Sequence, residues 1–487
     1  MNKYIYLYLG FVLVCSTSAC DPHGWQDDPD LDNKLQTNIE QGLTSSLQFE
    51  GDSLEVFTLK ERMAHYKVPG LSIAIVKNGA ILWAKGYGIA DTKTDSFVDE
   101  QTLFQAASIS KPIAALAALK LVEEGKIDLD TDINQYLTSW KVPESKFTQS
   151  EKVTLRRLLT HTAGMTVHGF PGYAQTDTFP DDVAVLNGNG NTGPIFVDTV
   201  PGAINRYSGG GYTVMERVVE DLSGQDFTAY LKNNVLEPLG MNRSTYQQPL
   251  GDDWTNVSAA YNGKGERYPG GWHNYPEQAA AGLWTTPSDL AKYIIAIQET
   301  LQGNTNPVLS RSMIQQMLTP HLGGQGLGPA VRNSGDSLTF SHSGKNAGFT
   351  NNMTAWAYRD EGIIVMTSAD QGKGLIQEIE RAASEVMGWD LSPSRVETTI
   401  ELSEEEMVNR VGTYEWKARD FQVNLQLEDG RMVIIDPSTG DKYPLRALDE
   451  LRVIDIVDGD IFTFEKHPDG SIASMTQGER YRFEKID

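Results

Sequence analysis

The chain is poor in several residues that mark common protein classes. It has only two cysteines in 487 residues, Cys15 and Cys20, and both fall in the first twenty. The body therefore has neither an internal disulfide nor a thiolate metal site. Positive charge is scarce: 41 Lys and Arg stand against 65 Asp and Glu, a formal net charge of −24. A surface of that sign excludes nucleic acid as a partner, because phosphate neutralisation needs a basic footprint. Long apolar runs are missing beyond the N-terminus, so nothing further along is expected to span a bilayer. No G-x-S-x-G elbow and no H-E-x-x-H helix occur, and no metal or cofactor is expected.

One apolar run is at the start. Met1-Asn2-Lys3 precedes Tyr4 to Val14, and Ser16-Thr17-Ser18-Ala19 leads into Cys20. A short positive region, a hydrophobic region and small residues before a cleavage point read as a signal peptide over residues 1–20. The segment resembles a bacterial lipoprotein signal, which implies lipidation of Cys20. The expected setting is extracytoplasmic, with membrane attachment through that anchor. Residues 21–50 are acidic (Asp27, Asp28, Asp30, Asp32) and lack the glycine and distal glutamate of a calcium loop, so they read as a solvated tether.

The chemistry concentrates in Phe104-Gln105-Ala106-Ala107-Ser108-Ile109-Ser110-Lys111-Pro112. The Ala/Leu-rich run that follows predicts a buried helix beginning close to Ser108, with Pro112 in its first turn and Gly125 as its left-handed stop. Residues three apart on such a turn share a face, so Lys111 points its amine at the Ser108 hydroxyl. Serine is a weak nucleophile until a base takes its proton. A lysine at its ordinary pKa of about 10.4 cannot do so, whereas burial favours the neutral amine. Taken alone, S-x-x-K is also an ordinary helix start, with Ser108 as cap and Lys111 solvated.

Two apolar runs, Gly70–Val76 and Ala80–Ala84, flank Asn78-Gly79 and predict a hairpin. Val153 to Met165 reads as a short helix, and His161 at its end is either a catalytic base or a histidine bonding backbone. Residues 166–205 are rich in Gly, Pro and Asn, a length usual for a wall or lid of a site. Tyr207-Ser208-Gly209 precedes a helix that stops at Gly224. Gly282 to Asp289 caps a helix expected from Leu290 onward. Late strands follow: Thr339 to Gly344, Asn352 to Tyr358 and Gly362 to Thr367. Early strands, a helical middle and late strands predict an α/β (α+β) domain over residues 51–390, an antiparallel sheet with an inserted helical lobe. Residues 391–404 read as a linker. Turn signals at Gly430, Gly440, Gly459 and Gly470 predict a small all-β barrel over 405–487.

Together these motifs resemble the penicillin-recognising serine hydrolases: class C β-lactamases, low-molecular-weight penicillin-binding proteins and their esterase and D-peptidase relatives. Leu158 to Gly164, Pro238 to Met241 and Ala281 to Thr286 add to the likeness. The resemblance implies that Ser108 is acylated, that Lys111 shares its proton, and that Tyr207 is general base and then proton donor. It implies an oxyanion hole from the backbone N–H groups of Ser108 and Lys345, and substrate contacts from His342, Ser343, Gly344 and Gly209. Two positions depart from the family pattern. Gly209 stands where an asparagine usually holds substrate amides, and His342 stands where a lysine usually holds a substrate carboxylate. Gly209 counts against efficient peptide or lactam positioning and His342 against a strong β-lactamase, so together they favour ester or small-acyl substrates, while the extracytoplasmic setting favours peptidoglycan-derived peptides with D-amino acids. The C-terminal module resembles the lipocalin-like barrels appended to some members. The alternative is an envelope binding protein that keeps the fold without turnover.

Overall fold

The computed structural model describes residues 29–486, apart from 458 and 479. The expected signal segment and its Cys20 lie outside the described residues. No described helix is long and apolar enough to cross a membrane.

A seven-stranded sheet organises the larger domain. Its strands run in the order Ser96–Phe97, Ala80–Asp91, Gly70–Lys77, Glu361–Thr367, Phe349–Trp356, Thr339–Asn346 and Ala330–Arg332. Every pairing is antiparallel. The hairpin turns at Asn78-Gly79 with φ of 53° and 73°, the left-handed pair that a two-residue turn needs. The first and last parts of the domain meet where Ile73 pairs with Val365 and Ala74 with Ile364. Both of these strands are apolar on both faces because helices cover both. Ala74, Val76, Ile364 and Met366 pack toward the helical lobe. Ile73, Ile75, Ile363 and Val365 pack toward Leu375, Ile376 and Ile379 of helix Gly372–Met387.

The helical lobe is inserted between strands Ser96–Phe97 and Ala330–Arg332. At its centre helix Ser110–Glu123 is buried on nearly every side, and Gly125 follows its end at φ 70°. Ser108 sits just ahead of this helix, in a 3-10 turn over Ala107–Ile109. Helix Pro287–Gln302 begins three residues before the expected Leu290. The Thr286 hydroxyl caps it by accepting the Asp289 N–H, and proline takes the first turn, where no donor is needed.

Residues 29–50 and 391–404 differ from the expected tether and linker. Helix Pro29–Gln41 leads into strand Leu47–Phe49, which pairs in parallel with Arg395–Glu397. Acidic composition does not prevent this, because Ile39 and Leu43 turn inward against the helix Gly372–Met387 side of the sheet, and Arg381 donates to the Thr44 carbonyl at 2.6 Å.

The C-terminal module is a closed eight-stranded barrel running from Gly412–Trp416 to Tyr481–Lys485, with Tyr414 opposite Lys485 at the seam. All four expected turns carry a left-handed glycine. Tyr414, Leu425, Phe464, Met475 and Phe483 fill the interior, as eight strands of this size allow. The barrel meets the rest of the chain at the strand pair just described: Arg446 bonds Asp52 and lies 4.3 Å from the Phe49 ring, and Arg395 donates to the Gly459 carbonyl.

Candidate active site

The turn at Ala107–Ile109 and the helix after it bring Ser108 and Lys111 together. The Lys111 ammonium donates to Ser108 Oγ at 3.1 Å and to the Ala280 carbonyl at 2.7 Å. Lys111 is only 2% exposed, and its Nζ lies over the rings of Tyr207 and Tyr212, 4.9 and 5.6 Å from their centroids. Aromatic faces and a carbonyl thus take the place of a carboxylate partner.

The turn is braced from three directions. Ser110 Oγ donates to the Ala107 carbonyl and accepts the Leu283 N–H, and Tyr246 donates to the Ser110 carbonyl. Asn351 donates to the Gln105 carbonyl, and Asn346 donates to Gln105 Oε1 and to the Ala281 carbonyl. Ala280 itself is held by Glu216, whose carboxyl accepts the Ala279 N–H at 2.8 Å. Burial pushes that carboxyl well above its ordinary range, which favours the neutral acid. Gln105, Ser110, Ala281 and Leu283 lie in segments marked by the sequence, whereas Tyr246, Asn346, Asn351, Glu216 and Ala280 carried no signal. Ala280 acts through backbone, and the buried amides follow no period.

Tyr207 precedes helix Gly209–Ser223, with Ser208 as the N-cap that accepts the Gly211 N–H. Its ring is 38% exposed, and among the described residues its hydroxyl has no hydrogen-bond partner, so it is open to a bound molecule. The rings of His161 and His342 lie 4.3 and 6.2 Å away. Ser108, Lys111, Tyr207, His161 and His342 therefore form one cluster.

Strand Thr339–Asn346 forms the opposite wall. It pairs with Ala330–Arg332 only as far as Ser341, so residues 342–346 present an edge with no strand of the described residues beside it on that side. Gly344 brings this edge against the Ser108 turn: a Cβ there would lie 2.2 Å from the Ala106 carbonyl oxygen. The strand thereby runs against Ala106 and Ala107, directly ahead of Ser108. The Lys345 side chain turns elsewhere, its ammonium held by Asp370 Oδ1 at 2.8 Å and the Asp370 carbonyl at 2.6 Å. Ser343 is exposed at the edge, while His342 is buried. Burial and the nearby Lys111 charge push the His342 imidazole down to about 3. It is neutral, with Nδ1–H donating to the Ser343 carbonyl and Nε2 left as an acceptor.

Gly209 stands where the resemblance would place an asparagine. It is buried at the helix start beneath Phe170, whose ring would lie 2.8 Å from an added Cβ. It offers a substrate no side chain, and an asparagine there would have to displace the Phe170 ring.

The comparisons with known proteins agree with this architecture. The family model described as Beta-lactamase matches residues 58–386. Protein flp of Staphylococcus aureus (strain N315) is 30% identical over 244 residues, 48% of this chain and 44% of that protein. The chain thus spans less than half the length of that relative. Among solved structures, the octameric penicillin-binding protein homologue from Pyrococcus abyssi superposes with a TM-score of 0.60 at 24% identity, covering 88% of this chain and 98% of the other. The D-amino acid amidase from Ochrobactrum anthropi SV3, complexed with L-phenylalanine amide, gives a TM-score of 0.56 at 18% identity over 73% and 99%. At those identities the structural likeness concerns the fold.

Proposed function

The chain belongs to the beta-lactamase family, a serine-hydrolase family, and on that premise we propose that it hydrolyses amide or ester bonds through an acyl-enzyme on Ser108. The observation that carries the reading is the buried Lys111 ammonium 3.1 Å from Ser108 Oγ. In the first step Ser108 Oγ bonds to the substrate carbonyl carbon while its proton passes to the Tyr207 oxygen, which acts in its phenolate form with the Lys111 ammonium as counter-charge, and the carbonyl electron pair moves onto the oxygen. Tyr207 then protonates the departing amine or alcohol as that bond breaks. Water, deprotonated by the same groups, hydrolyses the ester and returns the proton to Ser108. Donors near the Gly344–Lys345 edge and the Ser108 turn would stabilise the oxyanion, a contribution of about 3 kcal/mol for one such donor.

The charges around the site favour substrates whose carboxyl group is masked. His342 is neutral, and the Lys345 ammonium is tied to Asp370. Neither offers a free cation to a carboxylate, whereas His342 Nε2 suits an N–H donor. An amino-acid amide or ester fits, and the amidase noted above was crystallised with an amide of this class. The signal-like N-terminus supports an extracytoplasmic setting, where peptides with D-amino acids from the cell wall would be substrates.

The test is intact-mass analysis after exposure to a fluorophosphonate and, separately, to a fluorescent penicillin, beside Ser108→Ala. In the first reaction Ser108 Oγ bonds to phosphorus and fluoride leaves. Labelling lost in Ser108→Ala is expected, with the carboxylate-bearing penicillin slower by about tenfold or more, as loss of one hydrogen-bonded charge implies. No adduct from either probe on folded protein would assign the chain to the binding-protein alternative.

A further inference from the structure

One residue holds Tyr207 from three sides. The His161 carbonyl accepts the N–H of Arg206, the residue before Tyr207, at 2.8 Å. The His161 ring, through Nδ1, accepts the N–H of Ser208, the residue after it, at 3.2 Å. The same ring packs on the Tyr207 ring itself, with centroids 4.3 Å apart and planes at 39°. Its neighbours extend the clamp, since the Thr160 carbonyl accepts from the Asn205 amide and the Thr162 carbonyl from the Gly202 N–H.

Several features separate this from an ordinary core histidine. The backbone at His161 is left-handed, φ 56°, a conformation that few side chains other than Asn, Asp and His adopt without strain. The ring is buried, and its Nε2 has no partner among the described residues, although buried polar atoms are nearly always paired. Accepting the Ser208 N–H at Nδ1 requires the neutral ring with its hydrogen on Nε2. Burial and the facing Lys111 and His342 oppose a second proton. The other titratable groups against the ring are the phenols of Tyr207 and Tyr212. With Nδ1 engaged and Nε2 already protonated, His161 has no lone pair left to act as a base.

We infer that His161 is a positioning residue for Tyr207, setting where its phenol stands relative to Ser108 and Lys111. The inference rests on the reading of Tyr207 as the proton carrier in acylation. Asn at this position would accept the left-handed backbone and place Oδ1 near the Ser208 N–H, but would remove the ring. Phe would keep a ring and remove the acceptor.

The experiment compares the second-order rate constant for fluorophosphonate labelling of Ser108 in wild type, His161→Asn, His161→Phe, Tyr207→Phe and the double variant His161→Asn/Tyr207→Phe, with thermal melting of each. His161→Asn is expected to label about tenfold more slowly. His161→Phe is expected to lose about a hundredfold, the scale of an ångström of misplacement. In the Tyr207→Phe background, His161→Asn should change the rate less than about twofold, because the hydroxyl it positions is gone. Full additivity in the double variant would overturn the proposal, since His161 would then act independently of Tyr207. Wild-type rates in both His161 single variants would also overturn it. Failure of His161→Asn to fold would assign the residue to the fold instead. If wild-type Ser108 is not labelled, the acyl-transfer reading itself fails, a result distinct from all of these.

Discussion

Gly344→Ala tests whether the strand edge and the nucleophile turn act as one unit. The added Cβ would lie 2.2 Å from the Ala106 oxygen and 3.2 Å from both the Ala106 carbonyl carbon and Ala107 Cβ. A carbon–oxygen contact relaxes only near 3.3 Å, so strand and turn must part by about 1 Å. Neither side yields easily. The Ala106 N–H is bonded to the Leu283 carbonyl at 2.8 Å, and its carbonyl accepts the Ile109 N–H at 3.1 Å. On the strand side Gly344 pairs with Asn351, whose amide grips the Gln105 carbonyl. Overpacking of this kind costs about 1–3 kcal/mol, and an ångström between nucleophile and oxyanion donors costs about a hundredfold in rate.

The assay is fluorophosphonate labelling of Ser108 beside thermal melting. Gly193→Ala serves as control, because nothing lies within 4 Å of its added Cβ. The expected result is a melting point lowered by a few degrees and a labelling rate about a hundredfold down, against no loss of either in the control. Labelling of Gly344→Ala within about twofold of wild type would refute the claim that this close approach sets the catalytic geometry.

Three further outcomes follow from charge and contact. Burial pushes Glu277 up to about 8 from an ordinary 4.5, so between those values the folded chain binds a proton that the unfolded chain releases. Stability then falls by about 1.4 kcal/mol per pH unit as pH rises through that window. Glu277→Gln removes the slope, and its stability relative to wild type should grow from pH 5 to pH 8; a constant difference would sink the argument. His342 behaves in the opposite sense. Its folded value of about 3 lies below the ordinary 6.5, so its contribution is complete above 6.5 and is lost as pH falls toward 3. His342→Asn should flatten that acid limb by about 1.4 kcal/mol per unit, read from urea midpoints at pH 4 to 7. Arg446→Ala removes the half-exposed pair with Asp52 and the contact over Phe49, costing about 1 kcal/mol. It should leave Ser108 labelling unchanged, and a fall of more than about threefold, or roughly 0.7 kcal/mol, would show that the barrel contact is coupled to the active site.

The legible parts of the chain were those in which one local pattern has one physical solution. Asn78-Gly79 between apolar runs supplies the two left-handed residues of a tight turn. Ser108 and Lys111, three apart ahead of an apolar helix, meet on one face. The double-sided burial of Gly70–Lys77 and Glu361–Thr367 follows from apolar residues at nearly every position. What was not legible depends on distant backbone. The carbonyl that receives Lys111 belongs to Ala280, 169 residues away, and no side chain advertises it. Strand Leu47–Phe49 has a polar residue between two apolar ones and finds its partner across the whole domain, in Arg395–Glu397. Gly209 marks the position of a usual substrate ligand, and its place beneath the Phe170 ring depends on a loop residue 39 positions earlier that no local pattern ties to it.

The strained backbone around the site argues that its geometry is imposed by tertiary contacts. Ala107, His161 and Val167 all have left-handed φ, at 52°, 56° and 61°, and for the β-branched Val167 this is a marked outlier. Such residues cost about 1–3 kcal/mol each and persist only where the surroundings over-determine them. Each of the three adjoins the cluster. Ala107 precedes Ser108, and its carbonyl is held by Ser110 Oγ. His161 clamps Tyr207. The Val167 carbonyl accepts the Gly210 N–H and the Ser208 hydroxyl, which fixes the start of the helix behind Tyr207. Ser108 and Tyr207 therefore sit on separate turns, each strained and each anchored by bonds from other segments. A chain that relaxed these turns would gain local stability and lose the register between Ser108 Oγ and the Tyr207 hydroxyl.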